Sequence, residues 1–474
     1  MKRNFCILFS VLSIFIYTHG LGYANQTITL QDTLNFAFNY SPNIKAAQEA
    51  RQQSVHNVRV AEAGYYPTIG IWGGAGIENT DSIGTRANNT EYLTVGNFNL
   101  GVQVSQVLWQ GGNTSANVRM RNEELNYRAW ILMDSANSLA YSAISAHADV
   151  VRRRVLVNLC KENVAENKRI LNMLYARFDQ GLSSVGDVEQ VKGRLARAEA
   201  TLSVHQQALE AAFTVYTKVT GQLTPKLLAP VPMPKRIFSS EDEAREVSAN
   251  KSSRIQSDLA SIRNAMAAKD VTNSRFSPRV TIDAGPNFST KGYEGTQYQT
   301  TWSAMLNTQW NIFNGGADTA QLKADAARVR ELRKRLHETM DLVNQELMIT
   351  FSLTKRSAEQ SKIYTFAAKS ARKAKDNFIT QFDMGQKDLL SILDAEGEYF
   401  FSATEREVRK TDTILGHYRL LAISGELLDE CGINKASLMV DTTKGSDSST
   451  YTPWNFAPTT LDTKEAMQGT NLLK

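Results

Sequence analysis

Proline is scarce where it would matter most. None of the ten prolines falls between Pro67 and Pro225, or between Pro286 and Pro453, so neither interval contains the residue that most strongly forbids a long helix. Cysteine is scarcer still. Cys6, Cys160 and Cys431 are the whole set, too few for a disulfide-stapled scaffold. Beyond the first 24 residues no apolar stretch approaches 18 residues, which excludes a membrane-spanning helix. The six histidines, His19, His56, His147, His205, His337 and His417, lack any metal-ligand spacing. Gly181-Leu182-Ser183-Ser184-Val185-Gly186-Asp187 has the glycine spacing of a phosphate loop without its Lys-Ser/Thr, and no G-x-S-x-G elbow occurs. Asp394, Glu396 and Glu398 are close in sequence, but only Asp394 and Glu398 share a helix face. With no partner group beside them they read as a pore-lining or solvated face, and Arg152-Arg153-Arg154 as a solvated face too. No enzyme, metal site or cofactor is expected. A formal charge of +5 is too mild to argue for nucleic acid.

At the start, Lys2 and Arg3 precede an apolar run from Phe5 to Tyr17, followed by small residues at Gly22-Tyr23-Ala24. Residues 1–24 therefore read as a secretory signal peptide. Cys6 does not follow the run, so there is no lipoprotein cleavage box. Cys160 and Cys431 would reach a compartment that permits a disulfide, but they fall on different helices at different heights. A bridge needs Cα atoms within about 7 Å.

The rest of the chain is written twice. Gly111-Gly112 recurs as Gly315-Gly316, Phe178-Asp179-Gln180-Gly181 as Phe382-Asp383-Met384-Gly385, and Thr220-Gly221-Gln222-Leu223 as Ser424-Gly425-Glu426-Leu427, each 204 positions on. Pro67 answers Pro278. A duplication of this size is architecture. The spacing predicts a first repeat over 25–230 and a second over 231–436, with a polar tail at 437–474. Each repeat begins with a climbing helix, over 28–64 and 241–275. Each then has a long helix, over 113–179 and 317–383, and a returning helix, over 185–220 and 388–425. A 67-residue helix would be about 100 Å long. Its seam runs Leu125, Ala129, Leu132, Ala136, Leu139, Ala143, Ala146, Val150, and in the second copy Val329, Leu336, Met340, Val343, Leu347. That step of four and three is coiled-coil packing.

Just before each long helix the period changes to two. Phe98, Leu100, Val102, Val104 and Leu108 alternate with polar residues, as do Val280, Ile282, Ala284 and Phe288, and Tyr298, Trp302, Ala304, Leu306, Trp310 and Ile312. Thr68–Ile77 supplies a fourth segment. These give β-hairpins over about 67–110 and 278–313, with polar loops at 79–91 and 290–297. Apolar-out, polar-in alternation with aromatics near strand ends is the pattern of a transmembrane barrel. A soluble sandwich with one wet face gives the same alternation in any single strand. Four strands cannot close around a lumen, and open edges are not tolerated in lipid. Three copies would give 12 strands and a pore. The fold class expected is an α+β membrane protein, a homotrimeric outer-membrane β-barrel continued by a periplasmic helical barrel.

Gly64-Tyr65-Tyr66-Pro67, Leu108-Trp109-Gln110-Gly111-Gly112, Ile312-Phe313-Asn314-Gly315-Gly316, Gly181 through Val188, and Gly385 through Leu393-Asp394-Ala395 together resemble the TolC family of outer-membrane channel-tunnels. Trp310 through Asp318, Gln381 through Gln386 and Tyr418 through Gly425 are similar to its type I secretion, LapE-like branch. The resemblance implies a homotrimeric duct in the outer membrane of a Gram-negative bacterium, closed at its periplasmic tip. A periplasmic adaptor and an inner-membrane ABC exporter would engage it to release a large secreted protein. The alternative is efflux of drugs or metals with a proton-driven pump. The gate positions implied are Asp187, Phe382, Lys387, Ser391 and Asp394. Ser391 stands where the family has a second constriction aspartate, so one acidic ring is missing. The turns at Gly181, Leu182, Ser183, Gly385 and Gln386 would be the adaptor-docking tips.

Overall fold

A computed structural model describes residues 27–81, 83–87, 93–292 and 297–439. The signal segment and all but the first three residues of the 437–474 tail lie outside them, as do parts of both hairpin loops.

The climbing segment of the first repeat is two helices, α1 (Leu30–Tyr40) and α2 (Pro42–Glu62). Ser41 between them has φ −52° and ψ 114°. The proline ring pushes its predecessor out of the helical region, and Pro42 then starts the next helix, where its missing N–H costs nothing. A short 3₁₀ turn, Ala63–Tyr65, leads into β1 (Thr68–Thr80). Next come α3 (Ile83–Ala87), β2 (Leu93–Trp109), α4 (Asn113–Phe178) and α5 (Val185–Thr220).

In the second repeat the single helix expected over 241–275 is also broken, into α6 (Glu241–Lys251) and α7 (Ser253–Asn273). No proline signals this break. At Ser252 ψ is 123°, and the Asn250 carbonyl accepts the Gln256 side-chain amide at 2.8 Å instead of a helical N–H. The Gly425 backbone approaches the same spot closely: a Cβ there would lie 2.2 Å from the Lys251 carbonyl oxygen. The break is a tertiary feature. A second 3₁₀ turn, Ser274–Phe276, is followed by β3 (Arg279–Gly292), β4 (Gln297–Gln309), α8 (Ala317–Asp383), α9 (Leu389–Ser424), α10 (Leu427–Glu430) and α11 (Lys435–Leu438). β4 stops at Gln309, short of the expected Ile312, and the Trp310 indole donates to the Phe276 carbonyl at 3.1 Å.

The four strands form one antiparallel sheet in sequence order, β1-β2-β3-β4. One bulge interrupts the register, between Val107 and Trp109. Along each strand the two faces differ. Ile69, Ile71, Ile77, Phe98, Leu100, Tyr298, Trp302 and Leu306 are exposed, Ile77 to 83% and Trp302 to 77%. On the other face the polar groups bond one another. Asp283 accepts from Asn307 at 2.6 Å, Thr281 at 3.1 Å and Gln103 at 3.3 Å. Among the described residues β1 and β4 each have one neighbouring strand. No described helix is long and apolar enough to cross a membrane.

The chain divides into two compact units that do not follow the repeats. Of the described residues, one takes those from 27 to Ser41, Ser138–Ile237 and Ile349–Ala422; the other takes Pro42–Asn137, Phe238–Met348 and those from Ile423 to 439. The second unit holds the sheet. Its seam includes Leu132, Ala136, Leu336 and Val343, all buried. The first unit packs Ala146, Val150, Ala212 and Tyr216 together. There His147 is fully buried and bridges three segments. The Thr33 hydroxyl lies 2.8 Å from Nδ1, and Nε2 lies 2.7 Å from the Ala229 carbonyl. A carbonyl only accepts, so Nε2 carries the proton and Thr33 donates to Nδ1. Arg152 and Arg154 are half-buried rather than solvated. Arg152 pairs with Asp149 and Asp412, and Arg154 donates to the Pro225 carbonyl. Both described cysteines are free and buried. Burial pushes the Cys160 thiol up to about 11 and Cys431 up to about 12.

Candidate gate at the helix-hairpin ends

Two helix hairpins, α4–α5 and α8–α9, end in turns of the same build. After α4, Gly181 takes φ +73°, and the Leu182 N–H returns to the Arg177 carbonyl at 2.9 Å. After α8, Gly385 takes φ +75°, and the Gln386 N–H returns to the Gln381 carbonyl at 2.8 Å. A glycine in the left-handed region ends a helix without a Cβ clash.

The next helices are capped by the same two residue types in opposite order. In the first hairpin Ser184 caps α5 and Asp187 closes a reciprocal box. The Asp187 N–H donates to Ser184 Oγ at 3.2 Å, and the Ser184 N–H donates to the Asp187 carboxylate at 3.0 Å. In the second, Asp388 precedes α9, and both the N–H and the hydroxyl of Ser391 donate to its carboxylate. Asp388 is 204 positions from Ser184, and Ser391 is 204 from Asp187. In the second copy the acid of the pair therefore lies one turn nearer the hairpin end. Bonds to Ser184 and Ser391 hold the Asp187 and Asp388 carboxyls below the ordinary carboxylate range.

The two hairpins meet through a shared core of Ile170, Leu174, Val188, Val191, Phe382, Ile392 and Leu393. Phe382, expected at the gate, is 4% exposed. The Arg177 guanidinium lies 3.8 Å from its ring centroid and donates to its carbonyl at 2.6 Å. Asp394 takes Nη2 of Arg194 at 2.9 Å, while Nη1 of the same residue donates to the Leu393 carbonyl at 3.2 Å. Deeper in, Lys375 pairs with the buried Glu396 at 3.1 Å. Burial raises the Glu396 carboxyl, and the Lys375 charge opposes that rise. Lys387 lies 4.9 Å from the Phe378 ring centroid. Among the described residues of this chain, Asp187 and Lys387 form no ion pair with each other. Leu182, Val185 and Met384 stand exposed around the turns.

Arg177, Arg194 and Asp388 escaped the sequence reading. A signal was present. Arg177 stands three residues after Leu174, and Arg194 three after Val191, so each charge continues a buried apolar seam where another apolar residue would be expected. Asp388 was visible in the 204-residue offset as the exchange partner of Ser184.

The family model described as "Outer membrane efflux protein" matches residues 34–222 and 247–413, most of the chain. The chain belongs to the outer membrane efflux protein family. It is an outer-membrane channel protein that extends into the periplasm, and its relatives are transport channels rather than enzymes. The outer membrane efflux protein BepC of Brucella suis is 23% identical over 428 residues, 88% of this chain and 89% of that protein. The outer membrane protein TolC of Vibrio cholerae is 21% identical, covering 85% of this chain and 91% of that one. In fold, the chain superposes on the crystal structure of VceC from Vibrio cholerae with a TM-score of 0.72 at 16% identity, over 85% of this chain and 96% of that one. Fold and family together make this chain the outer-membrane channel-tunnel of a tripartite efflux or secretion system.

Proposed function

We propose that the chain is the exit duct of an efflux system, assembled as a homotrimer and opened at the helix-hairpin ends. The observation that carries the trimer is the sheet. Four strands with a bare apolar face and one-sided edge strands cannot stand alone in lipid, and three copies close a barrel of 12 strands with room for a lumen. A stripe of Leu342, Ile349, Leu353, Ile363 and Phe366 on α8 is exposed in one copy and repeats at near-helical spacing, as a surface awaiting another helix would. The apolar sheet face would meet outer-membrane lipid.

Efflux is favoured over export of a large adhesin by the family description and by BepC, itself named an efflux protein. The partners are then a periplasmic adaptor and a proton-driven inner-membrane pump. The type I secretion reading keeps one support, the three segments that resemble that branch, and would substitute an ABC exporter. In either case Asp187, Phe382, Lys387, Ser391 and Asp394 act as gate and constriction, and Gly181, Leu182, Ser183, Gly385 and Gln386 form the docking turns. A photo-crosslinking residue at Ser183 tests the assignment in cells. Capture of an adaptor with a proton-driven pump supports efflux. Capture with an ABC exporter transfers the function to protein secretion, and capture of neither removes the docking role.

A further inference from the structure

We infer that Arg194 is the counter-ion of Asp394, so that the gate presents an ion pair at this position rather than a ring of free negative charge. This rests on the reading of the hairpin ends as a gate. A carboxylate exposed near a channel's constriction would by itself attract cations and repel anions. Asp394 is not by itself. Nη2 of Arg194 sits 2.9 Å from its Oδ1, and the second prong of the guanidinium is anchored 3.2 Å from the Leu393 carbonyl. A planar fork with both prongs engaged loses less freedom per bond than a lysine would. Its base is also held, because Val191, one turn before Arg194, and Leu393 both lie in the buried core between the hairpins. The positive charge is therefore placed by the fold and does not depend on a chance surface encounter.

The neighbouring positions on the second hairpin carry little net charge. Ser391 carries no charge and gives its hydroxyl to Asp388. Asp388 is preceded by Lys387, whose ammonium lies over the Phe378 ring. Paired charges of opposite sign make a field that falls off faster than that of a lone charge, and salt screens what remains within about 8–10 Å. Anionic cargo should therefore pass the Asp394 position without meeting an acidic ring there, while Asp187, bonded to Ser184, keeps its charge on the first hairpin.

The test is the reversal potential of the purified full-length protein in a planar bilayer under a KCl gradient. The wild-type value is the reference for each variant. Arg194→Gln frees Asp394 and should raise the cation-to-anion permeability ratio several-fold. Asp394→Asn frees Arg194 and should shift the ratio toward anions, and the double variant should return to wild type. Arg194→Lys keeps the charge, loses the fork, and should stay close to wild type. Opposite single shifts that cancel in the double support the pairing. If Arg194→Gln raises conductance but leaves the reversal potential unmoved, Arg194 is only a structural clasp and the inference is overturned. Absence of any ion conduction in wild type and in Arg177→Ala alike would overturn the channel reading itself, and the counter-ion role with it.

Discussion

The two hairpin ends have the same backbone and exchanged side chains. At the first, serine caps the helix and aspartate answers it three residues later; at the second, aspartate comes first and serine answers. Both turn on a left-handed glycine, at Gly181 and Gly385. The helix start needs an oxygen acceptor at its cap, and either order supplies one. What the order does change is where the charge sits. A duplicated fold can keep its turn while moving its electrostatics by one helical turn.

The comparison can be broken most severely at Phe382, a residue of the second hairpin buried against the first. Phe382→Ala should cost about 3–5 kcal/mol of local stability, as large-to-small core changes do, and release the Arg177 guanidinium that now covers the ring. Limited proteolysis should then cut at residues 180–186 and 384–388 far faster than in wild type. Its counterpart in the first repeat, Phe178, is more exposed, and Phe178→Ala should have a smaller effect.

A gentler change sharpens the contrast between the caps. Ser184→Ala removes an N-cap acceptor and should weaken the start of α5 by about 0.5–2 kcal/mol, read as faster amide hydrogen exchange over 185–190. The exchange Ser184→Asp with Asp187→Ser copies the second hairpin into the first. It should restore near-wild-type protection, because the turn accepts either order. If the exchanged variant is as unprotected as Ser184→Ala, the two ends are not interchangeable.

The smallest effect expected is with pH. Asp187 and Asp388 have carboxyls held below their unfolded value of 3.8. A lowered acid contributes its stability above the unfolded value and loses it as pH falls through the folded one. Protection of both helix starts should thus be flat from neutral pH to about 4 and fall below that, at both hairpins alike. Asp388→Asn should remove the acid dependence at the second hairpin and leave it at the first.

Much of the fold could be read from residues alone because its signals are local and repeated. Proline-free intervals marked the two long helices, and period-two alternation marked the strands. The 204-residue offset tied the two glycine turns together. What stayed hidden depends on neighbours distant in sequence. The break at Ser252 has no signal in its own segment; it is marked by the Gln256 amide on the Asn250 carbonyl and by the close approach of Gly425, which ends a helix far along the chain. The two compact units cut across both repeats, which no periodicity along the chain could reveal. At the gate, the resemblance supplied Asp187, Phe382, Lys387, Ser391 and Asp394 as single positions. The structure instead gives Phe382 and Asp394 their arginine partners and leaves Asp187 occupied with its own helix cap.

The most direct measurement is single-channel conductance of the purified protein in a planar bilayer, wild type beside Arg177→Ala and beside Asp187→Ala with Lys387→Ala. If the hairpin ends form a gate held by the Arg177 contact to Phe382, wild type conducts weakly and Arg177→Ala several-fold more, with a smaller rise for the double variant. Equal conductance in wild type and Arg177→Ala would contradict a gate at this site.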